Sequence, residues 1–312
     1  MTRTLTSQNG TPLSRLAFGC MQFGGTADFG AAQEMFAASR AAGINHFDTA
    51  VGYNDGRADD ILGKLITEDR ESLIIATKVG YHGGAGRKNI LTQFDQTRSR
   101  LALDFVDVLY LHRFDPDTSL AETIDTFVEL QESGVIRYIG LSNFAAWQVM
   151  KAQMAASVLG TRIDIFQPMY SLVKRQAEVE ILPMCADQSI AVASYSPLGG
   201  GLLTGKYANG ESQGRLITDE RYAERYAVNW MHGTAEDMVE LAHDFGTEPA
   251  TLAVAWAMHH PTQPMPIISA RNVDQLRPSL DELTFKMTPE IRNRVSMMSV
   301  HPTPATDRLE EL

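Results

Sequence analysis

The chain has 312 residues, 44% hydrophobic and 21% charged, enough to bury a full-sized core, and it contains no apolar run near the roughly eighteen residues that a membrane span needs. Its formal charge of −11 disfavours a nucleic-acid partner, because phosphate binding needs a basic surface, although a local basic pocket for one small anion is compatible with it. Two distant cysteines, Cys20 and Cys185, imply neither a disulfide framework nor a zinc cluster, and residues 1–6 lack the apolar stretch of a signal peptide, so a reducing cytoplasm is the expected compartment.

From residue 13 onward, short β-like runs alternate with amphipathic helical stretches, the pattern of parallel βα units. The first run is Arg15 to Met21, and the second, Asn45 to Thr49, carries Asp48 near its end with Tyr53 just beyond. The third, Leu73 to Lys78, ends on a lysine, and Gly83-Gly84-Ala85-Gly86 after it reads as a flexible substrate-side loop. The fourth, Val106 to Leu111, delivers His112; the helical stretch after it repeats apolar residues at Ala121, Ile124, Phe127, Val128 and Leu130. The fifth, Tyr138 to Ser142, runs into Asn143, the sixth is Ile163 to Gln167, and the seventh is Ile190 to Tyr195. A Gly-rich segment, Gly199 to Gly233, predicted to contain a long loop, and helical stretches around Gly246 then lead to the eighth, Met265 to Ser269. Gly43, Gly134 and Gly246 each follow a helical stretch, as a C-terminal cap at positive φ requires.

Eight such strands close into a barrel or stay open in two layers. An open dinucleotide-binding sheet is expected to carry Gly-x-Gly-x-x-Gly after its first strand; that motif is absent, so the sequence favours a single (β/α)₈ domain over residues 1–312. In such a barrel the chemistry sits at the C-terminal ends of the strands. There Asp48, Tyr53, Lys78 and His112 bring an acid, a phenol, an ammonium and an imidazole together, a proton-transfer set. Taken singly, each has an ordinary reading as a turn residue, a solvated charge or a satisfied polar group; four at successive strand ends do not. Amide and hydroxyl groups at the ends of the later strands suit a planar carboxamide such as nicotinamide.

Four motifs on these strand ends make the chain resemble the aldo-keto reductases from about Leu16 to about Leu280: Asp48-Thr49-Ala50 with Tyr53, Thr77-Lys78, Leu111-His112, and Val135 through Phe144. The resemblance implies a TIM barrel that binds NADP(H) without a Rossmann domain and reduces a small aldehyde or ketone, with no nucleic-acid, membrane or metal partner. It implies that Tyr53 is the general acid, that Lys78 lowers the phenol's pKa, that Asp48 holds Lys78 charged, and that His112 orients the carbonyl. On the cofactor side it implies Cys20, Met21 and Asp48 near the nicotinamide, Ser142, Asn143 and Gln167 on the carboxamide, and Tyr195 stacked on the ring. Ser196, Leu198, Gly199, Leu203 and Lys206 fall at the pyrophosphate, and Ser269, Ala270, Arg271, Gln275 and Ser279 at the adenosine. Ile268-Ser269-Ala270 and Pro278-Ser279 depart from commoner family residues there. Arg271 is then the one cation of the adenosine group, so NADPH is expected and NADH is the alternative. Asp59 and Asp60 stand where a glutamate is more usual, with an expected effect on a local helix contact alone.

Phe23, Tyr81, Arg113, Phe114 and Trp230 are candidate substrate-lining residues, with Arg113 either attracting an acidic substrate or pairing with Asp115 or Asp117. Gly200 to Lys206 nearly spells a P-loop, but Tyr207 replaces the Ser or Thr that would ligate magnesium, and the adjacent His259 and His260 make a poor metal pair. Two other functions compete: a cofactor-binding regulatory subunit like the potassium-channel β subunits, and a barrel lyase or isomerase using the same acid and base without a cofactor.

Overall fold

The computed structural model describes residues 5–207 and 214–311. The eight predicted runs form a closed parallel barrel in sequence order: β1 (Ala17–Gly19), β2 (His46–Asp48), β3 (Ile74–Val79), β4 (Val106–Leu111), β5 (Ile136–Ser142), β6 (Ile165–Gln167), β7 (Ala191–Ser194) and β8 (Met265–Ile268), with β8 pairing back onto β1. The strand bounds differ from the predicted runs by a few residues. Cys20 and Met21 have already turned into a 3₁₀ helix, and β5 begins at Ile136, ahead of the predicted Tyr138.

Around the barrel lie α1 (Phe29–Ala41), α2 (Arg57–Leu65), α3 (Arg87–Leu101), α4 (Leu120–Glu132), α5 (Ala146–Val158) and α6 (Ile181–Asp187), one after each of the first six strands. In the Gly199 to Gly233 segment, expected to contain a long loop, residues 208–213 lie outside the described residues, and the described remainder of the span between β7 and β8 is largely helical. It carries α7 (Arg215–Thr218), α8 (Glu220–Arg225), α9 (Asn229–Asp244) and α10 (Pro249–Met258), and α11 (Val273–Leu280) and α12 (Pro289–Ser296) follow β8. Gly233 lies inside α9. Pro249 opens α10 at a position where no backbone N–H is needed, and α10 is apolar and buried on every side.

Strand alternation divides the core in two. One side chain set points between the strands and the helices; the other, including Ala17, Ile74, Ala76, Val108, Tyr110, Ile165 and Met265, fills the barrel. Leu5, fully buried against this interior set, closes the end opposite the strand termini, and an antiparallel bridge of Thr6 with Pro12 holds it there. With that end plugged, access to the interior is from the C-terminal face. Inside, Gly140 is required by space: a Cβ there would stand 2.4 Å from the Tyr110 ring.

Candidate active site

Asp48 is the last residue of β2, and Lys78 the next-to-last of β3, both on the inward-pointing alternation. Lys78 is fully buried, and its ammonium donates to Asp48 Oδ1 and, at 2.7 Å, to the Thr49 carbonyl. Burial alone pulls Lys78 down; Asp48 and Tyr53 together more than offset this, and the net direction is up, so the lysine stays charged. The second oxygen of Asp48 accepts from Gln167 Nε2 at 2.9 Å.

Tyr53 follows β2 in a tight turn in which Asn54 and Asp55 both adopt left-handed φ, and its ring centroid lies 5.1 Å from the Lys78 ammonium. Burial pushes the Tyr53 phenol above its ordinary range; Lys78's charge draws it down but does not reverse the direction, because burial is the larger effect and Asp48 adds to it. The expected lowering of this phenol is thus one component of a net rise: Tyr53 is a neutral O–H donor. His112, whose ring centroid is 6.1 Å from Tyr53's, is lowered to about 3 by burial first, then by Lys78 and Arg113. It is a neutral imidazole with one N–H to give. Two uncharged donors therefore stand over a buried ion pair.

The later strand ends are tied to this set. Asn143, at left-handed φ, donates to the His112 carbonyl at 2.9 Å and accepts from the Tyr195 hydroxyl at 2.7 Å, while Ser142 Oγ donates to the Gln167 carbonyl at 2.9 Å. Burial pushes the Tyr195 phenol up to about 12.

All of this opens into a cavity of about 1230 Å³, larger than the roughly 300–1,000 Å³ of a drug-sized site. Met21, Asp48, Tyr53, His112, Ser142, Asn143, Gln167 and Tyr195 line it on one side; Ser196, Leu198, Lys206, Ser269, Ala270, Arg271 and Gln275 line the extension beyond them. Cys20, Gly199, Leu203 and Ser279 are buried and do not reach the cavity; their places on its wall are taken by Gly19, Gly200, Gly201, Thr204 and Pro278. Gly200 and Gly201 both adopt positive φ, and Lys206 Nζ lies 3.3 Å from where a Cβ on Gly201 would be. Bare backbone beside an ammonium is a cradle that suits phosphate oxygens, so the residues present fit a dinucleotide.

Among the candidate substrate-lining residues, Tyr81 and Arg113 line the cavity. Phe23 is fully buried in the core, Phe114 packs edge-on against Phe144 at 5.4 Å, and Trp230 packs against the core. The loop after β3 is pinned: Asn89 donates to the carbonyls of His82 and Gly84 at 2.8 and 2.7 Å.

Asp59 does more than touch a neighbouring helix. It is buried on α2 and accepts from the hydroxyls of Thr49 and Thr97, both at 2.6 Å; Thr49 is the residue whose carbonyl receives Lys78. Burial raises its carboxyl to about 6 against the pull of both hydroxyls. The sequence carried a signal for this, since Asp59 shares the buried face of α2 with Leu62 and Gly63 at i+3 and i+4. Tyr222, Arg225 and Glu248, which also line the cavity, had no such signal.

A family model described as Aldo/keto reductase family matches residues 15–298. A probable voltage-gated potassium channel subunit beta of Oryza sativa subsp. japonica is 30% identical over 92% of this chain and 93% of its own length. An uncharacterized oxidoreductase, YrpG, of Bacillus subtilis is 31% identical over 93% and 94%. The L-glyceraldehyde 3-phosphate reductase of Escherichia coli K12 is 31% identical over 78% and 77%.

Proposed function

Because the chain belongs to the aldo/keto reductase family and is a nicotinamide-dependent oxidoreductase, we propose that it reduces aldehyde or ketone carbonyls to alcohols, with NADPH preferred and Tyr53 as the acid. The observation that carries this reading is the pairing of two neutral donors, Tyr53 and His112, at one cavity with the Asp48 and Lys78 ion pair buried behind them. When bound, reduced nicotinamide supplies a hydride to the carbonyl carbon. His112 donates to the carbonyl oxygen and sets its angle. Tyr53 gives that oxygen its proton as negative charge develops there, and Lys78 steadies the phenolate left behind.

The carboxamide falls to Ser142, Asn143 and Gln167, whose mutual hydrogen bonds hold their polar groups at the strand ends, and Tyr195 stacks on the ring. Leu198 and Lys206 take the pyrophosphate with the glycine cradle, and Arg271 with Gln275 takes the adenosine end, where a guanidinium favours a 2′-phosphate. We read residues 1–312 as one domain and the cytoplasm as its compartment; no helix among the described residues is long and apolar enough to cross a membrane.

A carbonyl panel run with NADPH and NADH side by side tests the reading: loss of the reduced-nicotinamide absorbance with several aldehydes, faster with NADPH, is expected. A second reading, a cofactor-binding regulatory subunit, is favoured by the near full-length similarity to the rice channel β subunit. Tight NADPH binding with no oxidation by any carbonyl would select it over the reductase.

A further inference from the structure

We propose that Arg113 anchors an anionic group of the substrate, so that the carbonyl compounds this protein reduces best carry a phosphate or carboxylate a few bonds from the reacting carbon. The inference rests on the reductase reading and adds the substrate's charge to it.

Arg113 follows His112 directly and lines the same cavity. Its guanidinium lies 4.9 Å from the Tyr81 ring centroid, and that centroid lies 4.9 Å from the centroid of the His112 ring, so two short steps join the cation to the donor that faces the carbonyl. Stacking on Tyr81 restricts the guanidinium without using its N–H groups, which keep the planar fork that matches an oxyanion.

Its acidic neighbours do not account for it. Asp115 uses both carboxylate oxygens locally, accepting from Ala85 N and Thr118 Oγ1 at 2.7 and 2.6 Å and from Asp117 N at 3.0 Å; Arg113 lowers its carboxyl less than any of these contacts, and no ion pair within 4.0 Å joins Arg113 to an acid among the described residues. The cavity's other cations have partners, another task or another place. Arg221 is paired with Asp219 at 3.0 Å, Arg100 donates to the Val51 carbonyl, and Arg215 donates to the Tyr222 hydroxyl at 3.1 Å; Arg225, which like Arg113 only stacks, ends α8 between β7 and β8, across the mouth from β4. Lys206 and Arg271 stand at the glycine cradle and after β8.

The cofactor's phosphates do not account for it either. In the ring of eight strands β4 lies opposite β8, so Arg113 and Arg271 stand on opposite sides of the mouth. A guanidinium with no close ion pair, beside His112 at the cavity mouth of a chain of net charge −11, is a place suited to an anion.

Two matched substrate pairs test this: glyceraldehyde 3-phosphate against glyceraldehyde, and succinic semialdehyde against butanal. The charged member of at least one pair is expected to have a kcat/KM higher by about tenfold or more, the effect falling on KM, and to lose that advantage as salt is raised. The pair that shows it identifies the group as phosphate or carboxylate. Arg113→Ala should bring the charged-to-neutral ratio toward one, Arg113→Glu below one, and Arg113→Lys should restore part of it. Equal turnover of both members by the wild type, or a ratio that Arg113→Ala leaves in place, overturns the anion anchor while the reductase reading stands. No turnover of any of the four compounds overturns both.

Discussion

At the scale of single residues, the decisive property is which groups are charged. Asp48 and Lys78 form one buried ion pair, and the two groups that line the cavity beside it, Tyr53 and His112, are neutral. In the proposed reaction, removing the phenolic hydroxyl takes away the proton donor without removing a cofactor contact, so Tyr53→Phe should cost roughly 10²- to 10⁴-fold in kcat. Fluorescence titration should show NADPH still binding, and surviving activity would mean that another group supplies the proton. Asp59 permits a separate test of burial. Its carboxyl rises from 3.8 to about 6 on folding, so the native state holds more protons than the unfolded one between those values, and stability falls as pH rises through that window. The penalty is complete above about pH 6, at about 3 kcal/mol, and an amide does not have it. Wild-type stability minus that of Asp59→Asn should therefore decline between pH 4 and pH 7 in urea unfolding. A difference that is flat or rises across that range would show that the carboxyl is not held protonated by burial.

At the scale of elements, the strand ends were legible because each depends on local pattern: an apolar run of strand length closing on a polar residue. The strands appear at every expected place, and His112, Asn143 and Gln167 sit at or just past their ends as the alternation requires. The connections were less legible. The span from Gly199 to Gly233 reads as containing a long loop because its glycines and polar residues obscure a helical period, and its described residues carry α7, α8 and the start of α9. Gly140 shows how tightly one strand is specified by its neighbour. It pairs with Tyr110 across β4 and β5, and its missing Cβ is the space occupied by the Tyr110 ring. Gly140→Ala should destabilise by about 1–3 kcal/mol through overpacking, seen as a lower urea midpoint at an unchanged m-value. An unaltered midpoint would mean that Tyr110 moves aside without cost.

At the scale of the whole molecule, a large cavity over a closed barrel couples stability to the cofactor. At a hundredfold excess of NADPH over its Kd, linkage adds about 2.7 kcal/mol, which for a chain of this size raises the melting temperature by roughly 4 °C. Thermal scans should show the larger rise with NADPH than with NADH at equal concentration. The reverse order would place the adenosine end with NADH and remove the role assigned to Arg271.

The sequence by itself determined the barrel and the set of reactive groups at its mouth, since strand periodicity and the residue closing each strand are properties of a few consecutive positions. Only the tertiary structure decided the rest: that burial outweighs Lys78 at the Tyr53 phenol, that Asp59 reaches Thr49 and Thr97, that Cys20 and Leu203 turn into the core, and that Arg113 stands over Tyr81 with no acid among the described residues in an ion pair with it. Each of these depends on which distant segments meet and how much water they exclude, and neither quantity is carried by local pattern.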